Sequence, residues 1–172
     1  MRILGFDPGT LHTGYGVLQA EAGRLQALAV GRISPPRSAP LADRLAQISL
    51  EARELLARWQ PEWVVVESPF HGPNTRSLIS LAEARGALLA TAALSGARLL
   101  EYTPAEVKLA VTGSGRAEKE QVARMVRVLL GLGDEGLPFD ATDALAVAIC
   151  CAQRSRMDAL LSPSRASSLT RK

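Results

Sequence analysis

Trp63-Val64-Val65-Val66-Glu67 constrains the fold of this chain more than any other segment. Three consecutive β-branched residues give a strand no polar face, so both of its faces must be covered. Such a strand belongs in the middle of a parallel arrangement with helices above and below it. The flanking segments supply those helices. From about Pro40 to Trp59, Leu41, Leu45, Ile48, Ala52, Leu55 and Leu56 recur at helical spacing, and Arg44, Arg53, Glu54 and Arg58 fall between them. Pro61 ends that helix. Asn74 to Leu94, rich in Ala, Gly and Leu, reads as a second.

The remaining elements follow the same logic. Residues 2–7 read as a short buried strand, and Thr13–Gln19 as the next, thinned by Gly14 and Gly16. Arg24–Ile33 is the third, reached through the turn Glu21-Ala22-Gly23. Such short connections suit an antiparallel meander. Arg98–Tyr102 is a fifth strand. Thr103-Pro104 is an N-cap followed by proline at the first helical position, opening a helix that ends near Gly113. Ala117–Leu130 is another helix, stopped by Gly131 and Gly133, and Phe139 to about Arg156 is the last. The order βββαβαβααα predicts an α/β fold, with a mixed five-stranded sheet flanked by helices on both faces. The first and fourth strands would then be neighbours. A single domain is expected over 1–156, and 157–172 is expected to be a disordered basic tail.

Where the apolar runs end is as informative as the runs themselves. Asp7 closes the first strand and Glu67 closes the fourth, while Asp140 and Asp143 lie at the start of the last helix. An acid at the end of a buried strand is costly unless something pairs with it. Asp140 and Asp143, at i and i+3, share one helix face with Cβ atoms roughly 5–6 Å apart. Each has a plainer reading taken singly. Asp7 suits a turn before Pro8-Gly9, and the two aspartates favour a helix N-terminus. Glu67, after three valines and before Ser68-Pro69, is harder to explain by solvation. Converged carboxylates repel one another, and hard oxygen ligands favour Mg²⁺ or Mn²⁺. Two such ions would support in-line phosphodiester displacement without a histidine base or a serine nucleophile. His12 and His71 have no Ser or Cys partner at a telling spacing.

Charge is distributed unevenly. Five basic residues and one acid give 153–172 a local +4 of the chain's net +3, which leaves −1 for the rest. Any nucleic-acid surface on the body must therefore be a local patch. Lys108, Arg116, Lys119, Arg124 and Arg127 are candidates for it, the plainer reading being a solvated face shared with Glu118 and Glu120. Thr112-Gly113-Ser114-Gly115 precedes a helix start whose backbone N–H groups can hold a phosphate. Lys119, just inside that helix, opposes the dipole and so should have an anionic partner. Phe70 stands in a Pro/Gly loop directly after Glu67, either as a loop anchor or as a stacking wedge against an unpaired base. Aromatics make up only 4% of the chain, so its position stands out. Cys150 and Cys151 are adjacent and read as reduced thiols. The opening apolar run is broken by Asp7 and Gly9, and no stretch approaches the ~18 apolar residues of a membrane span. A cytoplasmic location without membrane contact is expected.

Four segments in order carry a family resemblance. They are Gly5-Phe-Asp-Pro-Gly-Thr10 with Thr13-Gly-Tyr-Gly-Val17, Val64-Val-Val-Glu67, Gly113-Ser-Gly-Arg-Ala-Glu-Lys119 and Asp140-Ala-Thr-Asp-Ala-Leu-Ala146. Together they resemble the bacterial Holliday-junction resolvase family RuvC, from residue 1 to about 156. The resemblance implies a ribonuclease H-like fold and a homodimer whose subunits each nick one of two opposed strands of a four-way DNA junction during recombination and repair. It implies that Asp7, Glu67, Asp140 and Asp143 bind Mg²⁺ (Mn²⁺ as substitute), with two ions per site. It also implies that Phe70 stacks on a base, that Lys108 and Lys119 lie near the scissile phosphate, and that the helix from Asn74 forms the dimer. The RuvA–RuvB branch-migration complex is the partner so implied. Two positions depart from the family pattern: Leu11, where arginine is frequent, and Ser68-Pro69 before Phe70. The opening Asp-x-Gly is shared with nucleases of the same fold that process precursor ribosomal RNA, which are generally shorter. Phe6-Asp-Pro-Gly-Thr10 also resembles the phosphate turn of actin-like kinases, which need a second domain for which 172 residues leave no room.

Overall fold

The computed structural model describes residues 1–68, 75–133 and 136–161. The chain runs β1 (Arg2–Asp7), β2 (Thr13–Glu21), β3 (Arg24–Ile33), α1 (Leu41–Trp59), β4 (Trp63–Glu67), α2 (Thr75–Leu94), β5 (Arg98–Tyr102), α3 (Pro104–Thr112), α4 (Lys119–Leu130) and α5 (Phe139–Leu161). The order of elements is the one expected from the sequence. The sheet is ordered β3-β2-β1-β4-β5, antiparallel across β3, β2 and β1 and parallel across β1, β4 and β5.

Alternation along the strands divides the core in two. Leu4, Phe6, Val17, Val64 and Val66 meet Ile48, Ala52 and Leu56 of α1 and Ala84, Leu88 and Ala92 of α2 on one face. Ile3, Leu18 and Val65 meet α3, α4 and α5 on the other. Val64, Val65 and Val66 are all fully buried because successive residues point to opposite, equally covered faces.

On the second face α5 lies unusually close to the sheet, and glycines make that possible. A Cβ at Gly5 would fall on the backbone carbonyl of Ala144, and one at Gly14 on that of Asp140. A Cβ at Gly16 would come within 2.6 Å of the Leu145 side chain. Gly14 and Gly16 were expected only to thin β2; their effect is to clear a bed for α5.

Some boundaries shift from the sequence expectation. β2 reaches Glu21 because its pairing with β3 continues to Glu21↔Arg24. α4 begins at Lys119 rather than Ala117, since Ala117 closes a turn onto Ser114 and Glu118 accepts the first helical bond. α5 continues to Leu161, five residues beyond the expected end of the domain at 156. α3 starts as expected, with Thr103 and Glu106 in a capping box and Pro104 at its first position. Among the described residues no helix is long and apolar enough to cross a membrane.

Candidate active site

The register of the sheet brings the predicted acids to one edge. Phe6 pairs with Val66, so Asp7 and Glu67 leave their parallel strands side by side at the carboxyl end. Asp7 pairs across to Gly14, and Gly14 lies against the backbone of Asp140. The close seat of α5 thus sets Asp140 and Asp143 beside Asp7. The β1–β2 turn is held from two sides: Thr13 Oγ1 donates to the Gly9 carbonyl at 2.7 Å, and Arg44 of α1 donates to the Thr10 carbonyl at 3.4 Å.

Lys119, the first residue of α4, enters this cluster. Its Nζ lies 2.7 Å from Asp143 Oδ2, the anionic partner that its position at a helix N-terminus calls for. A recess of about 170 Å³ opens beside the pair, lined by Glu67, Pro104, Val107, Lys108, Lys119, Val122, Asp143 and Ala146. A larger hollow of about 780 Å³ between the ends of α1 and α2 gathers no comparable set of acids, so volume and chemistry point to different places and chemistry decides.

One ammonium does not balance these carboxylates. Burial pushes the Asp7 carboxyl up to about 8, with the charges of Asp143, Glu67 and Asp140 adding to it and Lys119 opposing. Burial, then Asp143, raises Glu67 to about 7 against Lys119 and Lys108. Burial also raises Asp143, despite its hydrogen bond from Lys119. Burial works against the charge on Lys119, but the bond to Asp143 and the charges of Asp143, Asp7 and Asp140 outweigh it and raise its pKa. The ion pair therefore raises the lysine without offsetting the burial that raises the aspartate. Among the described residues no three His, Cys, Asp or Glu side chains are drawn together closely enough to enclose an ion as they stand. The donor set nevertheless fits a divalent cation: hard carboxylate oxygens in excess of the local positive charge, two of them raised by burial and by their acidic neighbours to about 8 and about 7.

The excess has a pH signature. In the folded chain Asp7 binds its proton up to about 8, far above the ordinary aspartate value of 3.8. The folded state thus binds more protons than the unfolded state across that window, and stability falls as pH rises through it. In chelator, the melting temperature should drop more steeply between about pH 5 and 8 for the wild-type chain than for Asp7→Asn. Saturating Mg²⁺ should remove the difference. Parallel curves without metal would show that Asp7 is not crowded.

The other predicted residues are placed differently. Lys108 lines the recess. Arg116 stays exposed in the turn before α4 and does not line it. That turn engages two of its own N–H groups, Ser114 donating to Thr112 Oγ1 at 3.2 Å and Arg116 to Ser114 Oγ at 3.4 Å. Phe70 and His71 lie outside the described residues, as does the tail from 162. Sequence reasoning missed two neighbours. Arg32 of β3 reaches Asp140, Nη1 to Oδ2, at 3.7 Å. Phe139 lies beneath the Lys119 ammonium, 5.2 Å from Nζ to the ring centre. The low aromatic content that marked Phe70 applied to Phe139 as well.

Comparisons with known proteins identify the family. The sequence pattern of the family described as crossover junction endodeoxyribonuclease RuvC matches residues 3–151. A protein of that name from Syntrophomonas wolfei is 46% identical over 164 residues, 95% of this chain and 95% of its own length. One from Moorella thermoacetica is 49% identical over 150 residues, 87% of this chain and 90% of its own. Thermus thermophilus RuvC, solved in complex with a Holliday junction substrate, is similar with a TM-score of 0.86 at 35% identity, over 92% of this chain and 96% of that one. The expected ribonuclease H-like fold is the fold of that neighbour. The family is one of divalent-metal nucleases. With matches of this length and identity, the chain belongs to the RuvC family of crossover junction endodeoxyribonucleases, the Holliday junction resolvases.

Proposed function

We propose that this chain resolves four-way DNA junctions by paired symmetric nicks, in recombination and DNA repair in the bacterial cytoplasm. The observation that carries this reading is the convergence of Asp7, Glu67 and Asp143 with Lys119 at one sheet edge, in a chain of this family. Asp7, Glu67, Asp140 and Asp143 would hold Mg²⁺, with Mn²⁺ as a substitute and two ions per site. Ions bound there would act as Lewis acids, activating water and stabilising the leaving oxygen. The chain's own cations do the rest. Lys119 and Lys108 flank the recess and present ammonium groups to the scissile phosphate. Arg116, exposed before α4, extends the contact along the backbone, and Phe70 stacks on an unpaired base. Residues 1–156 make up the nuclease domain, with 157–172 a basic tail.

Two copies act together. Ile79, Ala82, Gly86 and Ala90 form an exposed line along α2, and a Cβ at Gly86 would meet nothing within 4 Å. That line supports α2 as the homodimer contact. The RuvA–RuvB branch-migration complex is the partner proposed from the family. The alternative, a nuclease for precursor ribosomal RNA, finds no support in the likenesses above.

The test is to incubate the protein with a synthetic junction bearing a mobile core, beside linear duplex and structured RNA, with and without Mg²⁺ or Mn²⁺. Symmetric, metal-dependent nicks confined to the junction are expected. Cleavage of RNA in preference to the junction would overturn the reading. Lys119→Ala is expected to slow nicking by about 10²-fold and to lower the salt slope of junction binding by about one. Unchanged rates and slopes, measured by titration across several salt concentrations, would remove Lys119 from the site.

A further inference from the structure

Phe139 is one of three phenylalanines in the chain, and it is 45% exposed although Phe6 is 1% exposed in the core. Its ring belongs to neither apolar cluster. It stands at the first position of α5, next to Asp140, and its carbonyl accepts a hydrogen bond from Thr142 Oγ1 at 2.8 Å. Among the described residues the exposed ring has one charged neighbour of note: the Lys119 ammonium lies 5.2 Å from its centre.

We propose that Phe139 is a positioning residue for Lys119, holding the ammonium at the rim of the acidic cluster by a cation–π contact. The proposal rests on the junction-nicking function given above. Lys119 hangs on a flexible four-carbon stem and is half exposed, and its other anchor is Asp143 Oδ2 at 2.7 Å. That anchor is conditional. A carboxylate oxygen given to a divalent cation is a poorer partner for an ammonium, and the two positive charges repel across it. The ring suffers no such competition. Its negative face attracts the ammonium, yet it carries no net charge or lone pair that would draw the metal away from the carboxylates. An acid at position 139 would hold the lysine more tightly but would add to the crowding that already raises Asp7 and Glu67. The ring also belongs to the helix that carries Asp140 and Asp143, so it ties a lysine of α4 to the frame of the acids.

The test compares Phe139→Leu, Phe139→Tyr and pentafluorophenylalanine at 139 in the full chain. Leucine keeps the apolar bulk without the ring, tyrosine keeps the ring, and fluorination reverses the sign of its face. Two readouts are needed. In the free protein, the ¹³C-labelled ε-methylene of Lys119, assigned with Lys119→Arg, should carry a ring-current shift that Leu abolishes and Tyr retains. At saturating junction and Mg²⁺, single-turnover nicking should slow about two- to fivefold in the Leu and pentafluoro chains, with junction Kd unchanged, and return with Tyr. A Lys119 signal unmoved by Leu overturns the proposal. So does a Leu variant that nicks at the wild-type rate, or a Tyr variant as slow as Leu. A wild-type chain that binds the junction without nicking it would instead sink the proposed function, and the Lys119 signal would then judge the ring's hold by itself.

Discussion

Asp7→Asn is expected to lower junction nicking by about a thousandfold or more while junction affinity stays within about threefold. The asparagine is nearly isosteric, so β1 and its pairing are retained. Asp7 sits where the charges of Asp143, Glu67 and Asp140 all act on it, the place that gains most from a bound cation. Removing its charge removes the strongest demand for that cation. In the proposed function DNA affinity rests elsewhere, on Lys108, Arg116 and Lys119. Unlike most substitutions, this one should also raise the melting temperature in chelator near pH 8, because asparagine resembles the protonated acid that burial already favours. Gel-shift binding without divalent ions, single-turnover nicking with Mg²⁺ and melting curves in chelator check the three parts. Lost binding would make Asp7 a structural residue, and retained nicking would take it out of the chemistry.

Gly14→Ala is expected to destabilise the fold by about 3 kcal/mol and to slow nicking by at least about 10²-fold. The new methyl would fall on the backbone carbonyl of Asp140, which no side-chain rotation can clear. Either β2 or the start of α5 must move. Because Asp7 pairs with Gly14, any adjustment separates Asp140 and Asp143 from Asp7 and disturbs a geometry that tolerates little error. Gly133→Ala is the control, since a Cβ there meets nothing within 4 Å. Chemical denaturation with single-turnover nicking on both variants checks the argument. A Gly14→Ala chain of wild-type stability would show that α5 is not seated on the sheet as described.

The parts of this architecture visible in the sequence were those set by local pattern. Three valines ending in Glu67 and a short apolar run ending in Asp7 mark both the strands and their common edge. The pair Asp140 and Asp143 needed only helical spacing, and Lys119 only its awkward place at a helix start. What stayed hidden depends on contacts between distant segments. Arg32 meets Asp140 because β3 follows β2 through a register shift between Val17 and Leu18, which no local signal marks. Arg44 reaches Thr10 across 34 residues of sequence. Gly14 and Gly16 looked like weak points of a strand because the helix they admit lies more than a hundred residues later.

In the proposed function, that separation governs when the protein becomes active. The acids come from positions 7, 67 and 140–143, and the last of them ride on a helix that must dock against the first two strands. A chain still being synthesised can close its β1–β2–β3 hairpins early, but it holds Asp7 without Asp140 and Asp143 until α5 has emerged and packed. No shorter nascent fragment assembles a cutting centre. In the proposed function, cleavage competence on the ribosome therefore waits for α5, and only then can two copies act together.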